Sequence, residues 1–243
     1  IFFAIILGVA ITALGPDEGG IVITLFEKIQ NAMIVIIQWV MELAPYGVAA
    51  LVAEVIGTSG VSVLTALLAY AGTVLLGLAI HAGIVYGGLV RFIGRIPWGS
   101  FMRAARPAQL IAFSTSSSSA TLPVSMECAE KNIGVSKPVA SFVLPLGSTV
   151  NMDGTALYQG VAAIFIAQVF QTDLSLGSQL SIVLAATMAS IGAAGVPGAG
   201  MITLALVLTS TGIPTIGLAL ILGVDRILDM FRTAVNVTGD LAV

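Results

Sequence analysis

Long apolar runs fill most of the chain, and short polar clusters cut them at a few places. Residues 1–14 read as one membrane span, or the end of one, with a turn at "GPDEGG" behind it. A long apolar helix is predicted over residues 21–56, begun near Glu27 and Lys28 and interrupted at Glu42 and Pro45. After a turn at "IGTSGVS", residues 61–93 form a third long helix, where Gly72, Gly77, Gly83, Gly87 and Gly88 allow close helix approach. Residues 55–90 and 174–224 contain no Asp, Glu, Lys or Arg, and stretches of that length read as membrane spans.

The next runs are too short to cross alone. Residues 100–113 and 121–133 flank "STSSSSATLP", residues 114–123. Arg91, Arg95, Arg103 and Arg106 stand before this patch, and Lys131 and Lys137 after it. Basic residues mark the cytoplasmic side, so the segment enters and returns by one face. The expected structure is a helical hairpin with its tip at Ser116 to Ser119. Non-helical backbone there must be buried in protein or line a cavity. An ordinary serine-rich loop outside the membrane is the alternative. A second hairpin is expected from residues 179–190 and 201–210 around "SIGAAGVPGAG", residues 190–200, with a plain loop between short spans as its alternative.

Between the hairpins, residues 139–170 are apolar except for "STVNMDGTALY", residues 148–158. Asn151, Asp153 and Gly154 favour a turn. A broken membrane helix frees carbonyls and carboxylates for a cation. Two hairpins beside long helices suggest a repeated architecture with a site near mid-membrane. The fold class is therefore an all-α membrane protein.

The last helix carries the densest polar pattern, "GVDRILDMFRTAVNVTGD", residues 223–240. Asp225, Asp229, Arg232, Thr233, Asn236 and Asp240 share about a third of its circumference at helical spacing. Facing lipid, such a stripe would be very costly, so it must face protein, water or ligand. Arg232 could fork onto a substrate carboxylate and Asp229 could take an ammonium group. Thr233 and Asn236 could hold other polar atoms, and backbone N–H groups near Ser118 a second carboxylate. One acidic amino acid satisfies all of these. A buried Arg–Asp network that only joins helices is the competing interpretation. Asp153 and Asp240, with carbonyls of Gly147, Asn151 and Asn236, suit a hard cation, and Thr149 with carbonyls of Ser190 to Ala193 could make another site. A proton on a buried carboxylate is the other possible driver.

Composition narrows the class. Of 243 residues 58% are hydrophobic and only 9% charged, and the net charge is −3, which gives nucleic-acid binding no support. Cys128 stands alone, which excludes an internal disulfide. Ile1 opens an apolar helix without a charged leader, and the chain is expected to be a fragment or to lack its first part. His81, in mid-helix, is expected to pack or hydrogen-bond rather than relay protons. Glu42, Glu54 and Glu127 are expected at the interface. The absence of a Ser–His–Asp arrangement, metal cluster or phosphate loop speaks against an enzyme.

"SSSSATLP" at 116–123, "NMDGT" at 151–155, "GAAGVPGAG" at 192–200 and "DRILDMFRTAVNVTGD" at 225–240 together carry a resemblance. The chain resembles the dicarboxylate/amino acid:cation symporter family, of prokaryotic type, over nearly its whole length. The resemblance implies a homotrimer with an elevator mechanism. Residues 1–56 would be part of the scaffold, and residues 57–243 part of a transport domain with hairpins at about 98–133 and 176–212. The family's first three helices would be missing. It implies L-glutamate or L-aspartate as substrate, sodium as coupling ion, no cofactor, contact with membrane lipid, and a bacterial or archaeal plasma membrane. Substrate would meet Ser117, Ser118, Thr155, Val196, Gly200, Asp229, Arg232, Thr233 and Asn236. Sodium would meet Asp240 with Gly147, Asn151 and Asn236; Thr149 with Ser190, Ile191 and Ala193; and Asp153 with Asn151. Many acidic amino acid carriers of the family have a further arginine where this chain has Ser116 or Met230. Proton coupling, a neutral amino acid or a C4-dicarboxylate therefore stay open, as does a channel or a purely structural bundle.

Overall fold

The computed structural model describes residues 2–60 and 62–243, with every side chain described from Leu64 onward. The expected turn position Val61 and the Glu54 side chain lie outside the described residues. The chain divides into two compact units, Ile1–Ala50 and Leu51–Val243.

In the first unit α1 (Phe2–Ala13) ends at a reversal through Gly15, whose φ is +83°. Helix α2 then runs from Gly15 to Ser59. The turn is thus shorter than "GPDEGG", and the helix starts before residue 21. Pro16 sits in the first turn, where a missing N–H breaks no bond, and Asp17 and Glu18 complement the positive helix end. The interruption expected at Glu42 and Pro45 does not occur. A proline removes one bond from the ladder, whereas unwinding in apolar surroundings would strip several backbone groups of partners.

The second unit takes in the last residues of α2, from Leu51, and then α3 (Ser62–Ile80), which continues through π-helical turns at His81–Tyr86 and Leu89–Ile93. Its stretch Leu64–Ile93, 30 residues of which the most apolar 18 have mean hydropathy 1.9, is long and apolar enough to cross a membrane. Helices α4 (Trp98–Thr115) and α5 (Ser118–Glu127), the latter extended by a π turn to Ile133, form the first hairpin. At its base the expected interfacial Glu127 is exposed and pairs with Lys131 at 2.8 Å. Helices α6 (Lys137–Val150) and α7 (Asp153–Val169) are one segment broken at Asn151 and Met152. Helices α8 (Leu176–Ile191) and α9 (Ala199–Thr211) form the second hairpin, and α10 (Leu218–Ala242) closes the chain. At about 1.5 Å per residue, neither hairpin has an α-helix reaching the roughly 30 Å of a bilayer core, which fits helices that turn back.

Polarity is inverted relative to a water-soluble domain. Leu180, Leu184 and Met188 form an exposed stripe on α8 at helical spacing, while Arg232 is 1% exposed and Asn236 3%. Two apolar clusters hold the unit. One joins Tyr70 and Val74 of α3 to Tyr158 and Ile166 of α7, Leu204 and Leu208 of α9 and Ile221 of α10. The other sets Phe101, Ala105, Ala108 and Ala112 of α4 against Val237 and Leu241 of α10. Those alanines recur every three or four residues, so one smooth face of α4 lets α10 come close.

Ala112 is fully buried on that face. Ala112→Leu should overpack it by about 2 kcal/mol and lower the unfolding temperature in detergent by roughly 4–8 °C. A melting curve like the parent's would show that the face has slack.

Candidate functional site

The two hairpin tips meet each other. Ser116 takes a left-handed conformation (φ 53°), which ends α4 and reverses the chain. Ser117 caps α5 by accepting a hydrogen bond from the Ala120 amide at 3.1 Å. Its hydroxyl donates to the Gly195 carbonyl at 2.7 Å, and the Ser119 amide donates to the same oxygen at 3.0 Å. Gly195 must be bare, since a Cβ there would lie 2.6 Å from Ser119 Oγ and 2.9 Å from the Ser148 carbonyl oxygen.

Behind this seam lies a polar cavity whose lining includes Ser116, Ser118, Met152, Thr155, Val196, Gly200, Asp229, Arg232, Thr233 and Asn236. Every expected substrate residue except Ser117 is among them. The Ser117 hydroxyl is turned to the seam instead. The polar stripe of α10 supplies the charged wall. Arg232 Nη2 donates to Asp229 Oδ1 at 2.5 Å, and Gly198 N–H at the second tip donates to Asp229 Oδ2 at 2.9 Å. Arg232 Nη1 stands 3.6 Å from Asp225 Oδ1, and the guanidinium carbon lies 4.2 Å from the centroid of the Tyr158 ring. A Cβ on Gly200 would come within 2.7 Å of Arg232 Nη2, so only glycine admits the guanidinium at that place.

Asn236 joins α10 to the break before α7. Its Oδ1 accepts from the Gly154 amide at 2.8 Å, and its Nδ2 donates to Thr155 Oγ1 at 3.1 Å. Nδ2 also lies 3.3 Å from Met152 Sδ. The cavity is thus built from both tips, the helix break and α10.

The residues expected to hold cations fall at several places, with the Asn236 side chain on Gly154 and Thr155. Asn151 Nδ2 donates to Asp240 Oδ1 at 3.0 Å, and a Cβ on Gly147 would lie 2.9 Å from the same oxygen. Gly147, Asn151 and Asp240 are therefore together. Asp153 opens α7, where its Oδ2 meets His81 Nε2 at 2.8 Å and the Tyr86 hydroxyl. Ser190 and Ile191 end α8 and Ala193 follows it, while Thr149, in the last turn of α6, donates its hydroxyl to the Leu146 carbonyl at 3.0 Å. The Ser190 hydroxyl donates to the Thr187 carbonyl at 2.8 Å.

Sequence reasoning missed Tyr158, Gln159 and Tyr86. Gln159 Nε2 donates to Thr203 Oγ1 at 2.6 Å and to the Gly200 carbonyl at 3.2 Å, tying α7 to the second hairpin. A signal existed for two of them, because Tyr158 and Gln159 follow Thr155 by three and four residues and so share its face of α7. No spacing rule ties Tyr86 to Asp153.

The family description "Sodium:dicarboxylate symporter family" matches residues 1–243. The chain is 43% identical to human excitatory amino acid transporter 3 over 241 residues, which are 99% of this chain and 46% of that protein. Against the Caenorhabditis elegans protein glt-4, whose name describes a sodium-dependent excitatory amino acid transporter, identity is 44% over 242 residues, 99% of this chain and 48% of that one. Mouse excitatory amino acid transporter 1 is 45% identical over 227 residues, 92% of this chain and 42% of that protein. The chain spans about half the length of the curated relatives it matches. These relatives are animal proteins. They correct the expectation of a prokaryotic-type carrier in a bacterial or archaeal plasma membrane.

Gly195→Ala should force the two tips apart and cost about 1–3 kcal/mol, as overpacking does. Limited proteolysis should then cut within residues 192–198 faster than in the parent. Equal cutting rates would mean that the seam absorbs a methyl group.

Proposed function

This chain belongs to the sodium:dicarboxylate symporter family, and from that premise we propose that its protein is a membrane carrier of L-glutamate or L-aspartate driven by sodium. One observation carries the reading. A buried cation and a buried anion, Arg232 and Asp229, line one cavity between two hairpin tips and are bonded to each other. An acidic amino acid carries the same two charges in exchangeable positions. Its side-chain carboxylate takes the place of Asp229 on Arg232, and its ammonium group takes the place of Arg232 on Asp229. The internal pair keeps both charges compensated until substrate replaces it, which avoids a stranded charge in an apolar surround.

Around this exchange, Ser118, Thr155, Thr233 and the backbone at Val196 and Gly200 contact the substrate, with Ser117 holding the first tip in place. Asn236 sets the helix break against α10. Sodium binds at Asp240 with Gly147, Asn151 and Asn236; at Thr149 with Ser190, Ile191 and Ala193; and at Asp153 with Asn151. Carboxylate and carbonyl oxygens are the donors such an ion prefers. Residues 57–243 form part of a transport domain that moves as an elevator against a scaffold to which residues 1–56 contribute, in a homotrimer. The exposed apolar stripe on α8 suits contact with lipid. The relatives' names, excitatory amino acid transporter, support the substrate class. The name of glt-4 supports the ion.

In liposomes holding the whole protein, replacing external Na⁺ by choline at fixed pH should abolish labelled aspartate uptake. Uptake that persists would overturn sodium coupling. Arg232→Ala should reduce aspartate uptake by about a hundredfold, the scale of one charge-assisted bidentate contact, and spare a neutral amino acid by comparison. Equal loss of aspartate and alanine transport would remove Arg232 from substrate selection.

A further inference from the structure

Helix α3 changes its bonding at His81, and the turn His81–Tyr86 is π-helical. In an α-helix, residues five apart point about 140° away from each other. In a π turn, with its i→i+5 bonding, they come onto one side, and such turns are frequent at functional sites. The result here is specific. His81 Nε2 stands 2.8 Å from Asp153 Oδ2, and the Tyr86 hydroxyl donates to that same oxygen. A carboxylate oxygen only accepts, so His81 Nε2 carries the proton in this contact. The two rings pack edge to face, 4.7 Å between centroids at 74°.

Asp153 is therefore held by one oxygen from two directions. Its other oxygen, Oδ1, is buried and has no hydrogen-bond partner among the described residues. An unsatisfied buried carboxylate oxygen is expensive, and a cation is the partner that would relieve it. The Tyr86 hydroxyl also fills the place where any side chain on Gly239 would stand, and a Cβ there would be 2.8 Å from Asn151 Nδ2. That amide is the one bonded to Asp240 at 3.0 Å. The phenol thus bonds to Asp153 and lies beside Gly239, the neighbour of Asp240 in the chain.

We propose that His81 and Tyr86 are positioning residues for the coupling cation. Their hydrogen bonds hold Asp153 Oδ2 and so turn Oδ1 towards the ion, and the π turn exists to bring both donors onto that atom. This rests on the reading of the protein as a sodium-driven carrier.

The test is a sodium titration of the melting temperature of the purified whole protein, at constant ionic strength with choline as the replacement. Binding to the native state raises that temperature by mass action. Tyr86→Phe keeps the ring packing and removes only the donor. It should raise the sodium concentration for half-maximal stabilisation about tenfold, the scale of one hydrogen bond to a charged group. His81→Leu should do the same, whereas His81→Gln, which keeps a donor, should stay within about threefold of the parent. Sodium dependence of aspartate uptake in liposomes should shift in parallel, with the maximal rate at saturating sodium retained. A merely structural role would lower the melting temperature equally at every sodium concentration and leave the half-maximal point in place, which would overturn the inference. If Tyr86→Phe and His81→Leu titrate like the parent while the parent responds to sodium, this inference alone falls. A parent with no sodium response would sink the sodium reading and this inference together.

Discussion

A guanidinium that is 1% exposed, in a unit built largely of apolar helices, must have anions around it. Arg232 has two, Asp229 at 2.5 Å and Asp225 at 3.6 Å, and a tyrosine face over the remaining side. This requirement orders the rest. Both aspartates come from α10 itself, at distances of three and seven residues, so one helix face carries the whole charge assembly. That face cannot turn outward. It must be roofed by other elements, and the elements that do so are the two hairpin tips and the break before α7. Gly200 is bare because the guanidinium occupies the space a side chain would need. The Gly198 amide donates to Asp229 and so brings the second tip onto the charged wall.

Much of this could be read from residue order alone, because membrane surroundings make the rules strict. Residues 100–113 and 121–133 are too short to cross, and serines between them cannot face lipid, so a hairpin follows. The same logic places the second hairpin, while turn-favouring Asn151, Asp153 and Gly154 mark the break at "NMDGT". The stripe from Asp225 to Asp240 is legible because polar residues at three- and four-residue spacing on an apolar helix have one tolerable orientation. Gly147, Asn151 and Asp240 lie together, while the Asn236 side chain is bonded to Gly154 and Thr155.

What stayed hidden was pairing between distant segments. His81 and Asp153 are 72 positions apart, and a histidine amid apolar residues carries no hint of which acceptor it meets. Tyr86 reaches Asp153 only because α3 widens into a π turn, a change that hydrophobic periodicity does not encode. Ser117 was legible as a tip residue, yet its hydroxyl serves the other tip. Pro45 shows the opposite failure. A local rule predicted an interruption, and the continuous ladder of α2 overrode it, since one absent N–H removes a single bond.

The shared carbonyl at Gly195 has a consequence for electrostatics. A peptide oxygen has two lone pairs, and here a serine hydroxyl and a serine amide engage both. The negative end of that dipole is thereby neutralised towards the neighbouring cavity. Under the proposed function, an anionic substrate on Arg232 would meet less repulsion from that carbonyl. The hydrogen bonds that join the two tips are thus the same ones that mask this carbonyl.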